Sequence, residues 1–154
     1  MPRIFDRLFP GELGNDYRGQ RLGLWIFGFV VLVKSLQMLS SLFNGRTTLR
    51  RADGIPIDAY PPGAAQTIVA LFALLAFTYL LICVICWLVL LRYRSAVPMI
   101  FMLLLLDYVC RRAILYFLPV ARTGTAGGVI VNLVLFVVMI VGFGLAIWPA
   151  KEET

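Results

Sequence analysis

Apolar residues occur along the chain in four long, continuous segments that are bounded by charged residues, proline or glycine. The segments cover residues 22–43, 64–91, 96–118 and 128–148. A helix of about 20 apolar residues is long enough to cross the hydrocarbon core of a bilayer, which is about 30 Å thick. The pattern therefore predicts an all-α polytopic membrane protein, a bundle of four transmembrane helices joined by short loops.

Charged residues, glycine and proline mark where the apolar segments end. The first segment is followed by Asn44 and Gly45, the second by Arg92, the third by Pro119 and the fourth by Pro149. Proline lacks a backbone N–H and cannot continue a helix, so such residues are typical helix boundaries. The second segment would be roughly 42 Å long as a helix, which predicts that it is tilted or projects beyond the hydrocarbon.

The connections between the segments differ in length. Residues 92–95 join the second and third segments, and residues 121–127 join the third and fourth, so both pairs are expected to be antiparallel neighbours. Residues 44–63 form the only sizeable loop. We expect this loop to be a solvated connector, and the alternative is a small lid or docking surface.

Residues 1–21 form an N-terminal tail and residues 149–154 a C-terminal tail. Pro10 and several charged residues separate the start of the chain from the first apolar segment, so we expect the tail to be retained rather than cleaved as a signal peptide. Four of its apolar residues recur at helical spacing and predict a short interfacial helix. A flexible tail that orders only on lipid or a partner is the alternative. The four residues are Ile4, Phe5, Leu8 and Phe9.

Basic residues are distributed unequally between the two faces of a four-span bundle. An even number of spans places both termini on one face, which carries seven basic residues against four on the other. The positive-inside rule then predicts cytoplasmic termini, although counting Arg111 and Arg112 with the far face narrows the difference to seven against six. The seven are Arg3, Arg7, Arg18, Arg21, Arg92, Arg94 and Lys151, and the four are Arg46, Arg50, Arg51 and Arg122.

Tryptophan positions and arginine usage add to the membrane assignment. Trp25, Trp87 and Trp148 each lie three to five residues from a basic residue, which is typical of anchors at the membrane interface. Twelve arginines stand against two lysines, a bias typical of bacterial genomes rich in G and C. The sequence therefore predicts a multi-pass protein of a bacterial inner membrane.

Composition excludes several classes of function. Hydrophobic residues make up 61% of the chain and charged residues 14%, against about 45–50% and about 25% in average soluble domains. The chain has no histidine, which excludes histidine-ligated zinc or haem and a histidine-dependent catalytic triad. We therefore expect no enzyme activity, no cofactor and no metal. The net charge of +6 is spread over both faces, so nucleic-acid binding is not expected.

Four ionisable residues lie inside the apolar segments and form a predicted intramembrane charge cluster: Lys34, Asp107, Arg111 and Arg112. Each costs about 2.5 to 3.5 kcal/mol to insert at membrane depth, so each requires a structural or functional reason. Lys34 and Asp107 both lie thirteen residues from basic residues at the same face, which predicts equal depth and an ion pair between them. The alternative is a local pair of Asp107 with Arg111, one turn along the same helix.

Several polar residues are expected beside this cluster. Thr78 and Tyr79 of the second segment lie at the same depth, and Gln37 and Ser41 continue the Lys34 face of the first. Asn132 of the fourth segment is a further candidate. The cluster carries two surplus positive charges, which a lipid phosphate, a carboxylate of another subunit or an anionic solute would balance. A purely structural latch that fixes helix register is the alternative.

These observations predict a non-catalytic accessory or scaffolding subunit of a larger membrane complex. It would associate through its helices and intramembrane charges with other membrane subunits or with itself, in contact with membrane lipids. The alternative is an oligomeric component for transport of a small solute or ion, or for binding of anionic lipid, in which Lys34 and Asp107 act at the midplane. A membrane-embedded enzyme is the third and weakest hypothesis.

Overall fold

A computed structural model describes residues 8, 11–123 and 127–148 of the chain. The described residues form four long helices and one short helix, with single 3-10 turns at Ile57–Ala59 and Arg94–Ala96. The helices are α1 (Arg21–Phe43), α2 (Gly45–Arg51), α3 (Pro62–Arg92), α4 (Val97–Phe117) and α5 (Gly127–Ile147). The all-α fold class is confirmed. The interfacial helix and the C-terminal tail expected from the sequence fall largely on residues 1–7, 9–10 and 149–154, outside the described part.

Three helices, α1, α3 and α5, are long and apolar enough to cross a membrane, which indicates a membrane protein. Helix α4 has 21 residues, the same length as α5, and corresponds to the third apolar segment. Every 18-residue stretch of α4 includes Asp107, Arg111 and Arg112. By length and composition, three rather than four of the predicted spans are therefore supported.

The loop between α1 and α3 is a small folded cap (residues 45–59) rather than an extended connector. It consists of α2 and the 3-10 turn Ile57–Ala59. Leu49 and Ile57, with exposed fractions of 2% and 0%, pack with Ala65 at the start of α3. The loop is thus folded onto α3 through two apolar side chains, while its charged residues Arg46, Arg50, Arg51 and Asp58 stay exposed.

Backbone hydrogen bonds tie the connecting segments together at two opposite ends of the bundle. At one end, called the tail end, Gly14 and Ser95 pair, with Gly14 N–H donating to Ser95 Oγ at 3.0 Å. At the other, the cap end, the Gly54 carbonyl accepts Thr123 N–H at 2.7 Å and the Ala52 carbonyl accepts Gly128 N–H at 2.9 Å. Helices α1 and α4 run from the tail end to the cap end, and α3 and α5 run back.

Helix α1 is central and packs against both α3 and α5, while α5 also packs against α4. Helices α3 and α4 contact each other little. Both pairs are antiparallel, as predicted from their short connectors, but α4 and α5 pack closely whereas α3 and α4 do not. Their short turn fixes only the tail-end tips, and it places no constraint on the distance between the helices further along.

The main core lies in the tail-end half of the bundle. Phe27 of α1 and Phe101 of α4 are fully buried, and their rings meet edge to face with centroids 5.0 Å apart. Met139 of α5 and Cys86 of α3 belong to the same cluster. Gly142 of α5 allows close approach there, because a Cβ atom added at this position would lie 2.6 Å from Phe101 Cζ. This packed half fixes the helices whose other halves surround the cavity described next.

Candidate functional site

A cavity of about 720 Å³ lies in the cap-end half of the bundle, between α1, α3, α4 and α5. Apolar side chains such as Met38, Phe72 and Leu115 form much of its wall. Leu49 and Asp53 of the cap border it at the cap end. Helices α3 and α4, which contact each other little, form two of its sides.

Each long helix contributes a polar side chain as its deepest cavity residue. These residues are Lys34 on α1, Tyr79 on α3, Asp107 on α4 and Asn132 on α5, and they are called the floor of the cavity. In each helix the other lining residues lie between the floor and the cap end. The floor therefore separates the hollow half of the bundle from the packed half.

Asp107 has two hydrogen-bonding partners, Tyr79 of the floor and Arg111, which lies one turn nearer the cap end. Arg111 Nε donates to both of its carboxylate oxygens, at 2.8 and 3.0 Å, and the Tyr79 hydroxyl donates to Asp107 Oδ2 at 2.7 Å. The Arg111 guanidinium also lies 4.7 Å from the centre of the Tyr79 ring, a cation–π distance. The hydrogen bond from Tyr79 joins α3 to α4, two helices that otherwise contact each other little.

Among the described residues, no carboxylate lies within ion-pair distance of Lys34, and the charge of Asp107 acts on it only at longer range. Its ammonium group lies 3.5 Å from Asn132 Oδ1 and 5.7 Å from the centre of the Tyr79 ring. The described ion pairs join Asp58 to two arginines of the cap and Asp107 to Arg111, so the direct pair of Lys34 with Asp107 is not formed. The local alternative is formed instead, because Arg111 lies one turn from Asp107 on the same helix face.

The depth inferred from the sequence agrees with the packing around these residues. Phe27 contacts Phe101, and Lys34 and Asp107 follow them by seven and six residues on the same two helices. At a rise of about 1.5 Å per residue, both charged residues lie about 10 Å beyond that contact. Lys34 and Asp107 are thus brought to one level and one cavity, although they do not touch.

Further charged and aromatic residues lie nearer the cap end and form the rim of the cavity. Arg112 lies 5.9 Å from the centre of the Tyr108 ring, which stacks on Phe136 at 4.3 Å. Arg122 and Asp53 line the same rim. Burial raises the pKa of Asp53, and the charge of Arg122 partly opposes this shift.

The charges that line the cavity do not cancel. Four positive side chains face two negative ones, so the lining carries two surplus positive charges. The positive residues are Lys34, Arg111, Arg112 and Arg122, and the negative ones are Asp53 and Asp107. A low-dielectric environment strengthens attraction for anions, so this arrangement favours a negatively charged ligand.

The polar neighbours predicted from the sequence are only partly brought together. Tyr79 belongs to the floor, and Ser41 lines the cavity while its hydroxyl donates to the Gln37 carbonyl at 2.9 Å. The Gln37 side chain does not line the cavity. Thr78 is exposed on the outer face of α3 and donates to the Leu74 carbonyl.

The three tryptophans also differ in their surroundings. Trp25 and Trp148 lie near the tail end and are exposed by 79% and 68%. Trp87 instead donates its indole N–H to Ser35 Oγ on α1 at 3.2 Å. Its polar atom is therefore used inside the bundle, while the other two present large apolar surfaces outward.

Sequence reasoning missed Asp53, Tyr108 and Arg122 as site residues. Asp53 and Arg122 lie in connecting segments, and no helical periodicity relates a loop residue to a helix face. Tyr108 follows Asp107 directly, so its membership depends on how α4 is rotated against α5. Groups of three or more histidine, cysteine, aspartate or glutamate side chains that could hold a metal ion are absent from the described part of the chain.

Comparison with models of protein families, with curated proteins and with solved structures finds no match to this chain. The geometry of the cavity therefore carries the functional argument.

Proposed function

We propose that this chain is an inner-membrane protein with four transmembrane helices that binds an amphiphilic anion in its cavity. The observation that carries the proposal is Lys34, a cation on the cavity floor with no carboxylate within ion-pair distance among the described residues. A cation at membrane depth is costly unless it is paired, and a bound anion would lower that cost.

The run of α4 from one end of the bundle to the other supports four spans. Ser95, just before α4, is bonded to Gly14 at the tail end, and Thr123, after α4, is bonded to Gly54 at the cap end. Asp107 and Arg111 neutralise each other within α4, which reduces the cost of inserting them. The basic residues of the tail end favour a cytoplasmic location for that end and an outward-facing cap, in a bacterial inner membrane.

The size and lining of the cavity favour an amphiphile over a small inorganic ion. Sites for small organic ligands commonly measure about 300–1,000 Å³ and are mainly apolar with a few placed polar groups. The cavity falls in this range, with a polar floor and apolar walls. A phosphate or carboxylate group would contact Lys34 and Asn132, while an apolar chain would pass along α3 and α4 toward the lipid.

Dodecyl phosphate provides a direct test, with dodecyl maltoside as a neutral amphiphile of equal chain length. We expect dodecyl phosphate to bind the purified protein, measured by native mass spectrometry. Lys34→Met should weaken binding by about tenfold or more, since a hydrogen bond to a charged group contributes about 1.5 to 3 kcal/mol. The variant should remain folded, because no carboxylate of the described residues lies within ion-pair distance of the charge that it removes.

The matched control is Arg51→Gln. Arg51 is an exposed residue of α2 that does not line the cavity and takes part in none of the described ion pairs. It should bind dodecyl phosphate like the parent chain. Equal binding by Lys34→Met and the parent chain, or no preference for dodecyl phosphate over dodecyl maltoside, would contradict the proposal.

A second candidate is the accessory or scaffolding subunit expected from the sequence. The limited contact between α3 and α4 supports it, because a helix of another subunit could pack against both and supply a carboxylate to Lys34. Purification in mild detergent would then yield a second membrane polypeptide in fixed stoichiometry, and Lys34→Met would release it. A monomer without a partner would contradict this candidate.

A further inference from the structure

A second pocket, distinct from the cavity floor, lies on the outer surface of α4 and the segment that follows it. This pocket has a volume of about 390 Å³ and is called the arginine groove. Two arginines, three apolar residues and one tyrosine line it. They are Arg112, Arg122, Leu115, Pro119, Val120 and Tyr116.

Among the described residues, no carboxylate lies within ion-pair distance of either arginine of the groove. The ion pairs of the described residues use Arg46, Arg50 and Arg111. Arg112 faces the Tyr108 ring at 5.9 Å, and Arg122 interacts with a carboxylate, that of Asp53, only at longer range. Guanidinium groups match the oxygens of a phosphate in paired hydrogen bonds, so two of them on one groove favour a phosphate group.

The position of the groove along α4 corresponds to the edge of the hydrocarbon. Arg112 lies five residues before the end of α4, about 8 Å by helical rise. Phe117 and Leu118, next to the groove, are exposed by 77% and 70%, and Tyr116 by 82%. A tyrosine beside exposed apolar residues is typical of the membrane interface, where lipid phosphates lie.

From this geometry we infer that Arg112 and Arg122 bind the phosphate of an anionic phospholipid. Its acyl chains lie along the exposed apolar face of α4, and its headgroup lies at the mouth of the cavity. Four residues support this last point, because Arg112, Leu115, Val120 and Arg122 line the groove and the cavity together. The lipid site does not depend on a ligand at Lys34.

Native mass spectrometry of the full chain in detergent, titrated with phosphatidylglycerol or with phosphatidylcholine of the same acyl chains, tests this site. We expect phosphatidylglycerol to be retained in preference to phosphatidylcholine. Arg112→Gln combined with Arg122→Gln should weaken phosphatidylglycerol retention by about tenfold or more, as loss of charge-assisted hydrogen bonds implies. Arg51→Gln at the same end of the bundle should change nothing.

Three further measurements make the test decisive. Lys34→Met should retain phosphatidylglycerol normally, which separates this site from the cavity floor. Arg112→Lys combined with Arg122→Lys should give an intermediate affinity and the parent melting temperature, which controls for folding. Inorganic phosphate at equal concentration should not displace the lipid, because it lacks the acyl chains that contact α4.

Any of three outcomes would overturn the inference. The first is equal retention of phosphatidylglycerol and phosphatidylcholine by the parent chain. The second is undiminished retention of phosphatidylglycerol by the folded glutamine double variant. The third is that inorganic phosphate displaces bound phosphatidylglycerol as effectively as added phosphatidylglycerol does, which would identify a site for free phosphate.

Discussion

The two halves of the helix bundle are built from the same four helices but differ in how they fill space. In the tail-end half, Phe27, Phe101 and Met139 are almost completely buried against one another. In the cap-end half, the helices surround a cavity of about 720 Å³. The polar floor containing Lys34 and Asp107 lies at the boundary. The packed half holds the helices together through close side-chain contacts, and the charged groups lie where the helices surround the cavity.

The difference shows how a small membrane protein can combine a closely packed half with a cavity. Lipid is as apolar as leucine, so helix association in a membrane depends on close packing and polar contacts rather than on removal of apolar surface from water. Close packing is concentrated in the tail-end half, and polar contacts between helices are concentrated at the floor. Substitutions should therefore have different effects in the two regions.

Phe101→Ala is expected to have the largest effect, because it removes a fully buried ring that packs against Phe27. Such a cavity in a packed core costs about 3 kcal/mol or more of the free energy of unfolding. Unfolding with sodium dodecyl sulfate in mixed micelles measures it. The control is Phe77→Ala on α3, where the ring is exposed by 49% and the expected change is within about 0.5 kcal/mol. Equal losses for both variants would contradict the comparison of the two halves.

Gly142→Ala tests how tightly the packed half is filled. The added Cβ would lie 2.6 Å from Phe101 Cζ and 2.7 Å from Ile26 Cγ2, so side chains must shift at a cost of about 1 to 3 kcal/mol. Gly144→Ala, two residues later, meets no atom within 4 Å and should stabilise the helix by up to about 1 kcal/mol. Opposite signs for the two variants in the same unfolding measurement support close packing. A neutral Gly142→Ala would show that this half is looser than described.

Tyr79→Phe tests the contact that joins α3 to α4 at the floor. It removes the hydroxyl that donates to Asp107 at 2.7 Å, while Arg111 continues to neutralise the carboxylate. We expect a loss of about 1 to 2 kcal/mol in the free energy of unfolding. Tyr116→Phe, at a residue exposed by 82%, is the control and should be neutral. If both variants were neutral, the floor would contribute nothing to the association of α3 with α4.

The smallest effect is expected in the cap, from the ion pairs of Asp58. Hydrogen bonds from Arg46 and then Arg50, at 2.8 and 3.1 Å, hold the pKa of Asp58 below its usual range. Because the folded-state pKa is below the unfolded value of about 4, the contribution is complete above that pH and is lost as the pH falls through the folded-state pKa. Hydrogen exchange of α2 amides, corrected for intrinsic rates, should become faster at low pH. Asp58→Asn should abolish this pH dependence, and an unchanged dependence would exclude Asp58 as its cause.

Much of the helical framework could be predicted from the sequence, since apolar segments bounded by Arg92, Pro119 and Pro149 directly specify where long helices begin and end. The pairing of Asp107 with Arg111 was also accessible as an alternative, because it depends only on helical spacing. The depth of Lys34 in the bundle can be predicted by counting residues from the start of α1. These are local properties, and each can be calculated within one helix.

The cavity could not be predicted, because it depends on how far α3 and α4 separate. A four-residue connector constrains the ends that it joins, but side-chain packing against α1 and α5 sets the angle between the helices. The same limitation applies to Arg122 and Asp53, whose loops approach the rim through backbone hydrogen bonds such as Thr123 to Gly54. The predicted ion pair of Lys34 with Asp107 is not formed, because equal depth does not determine how each helix is rotated about its own axis.

The hydrogen bonds between Gly14 and Ser95 fix one end of α4 in the bundle. Through Gly14, the N-terminal segment is bonded to the turn between α3 and α4, so the distance between these two helices is fixed at the tail end. Helix α4 is about 32 Å long, and a rotation of about 5° around its clamped end moves its far tip by about 3 Å. The hydrogen bond of Tyr79 to Asp107 lies partway along the two helices and opposes their separation. A small change of angle at the turn would therefore give a larger change in the distance between the cap-end parts of α3 and α4.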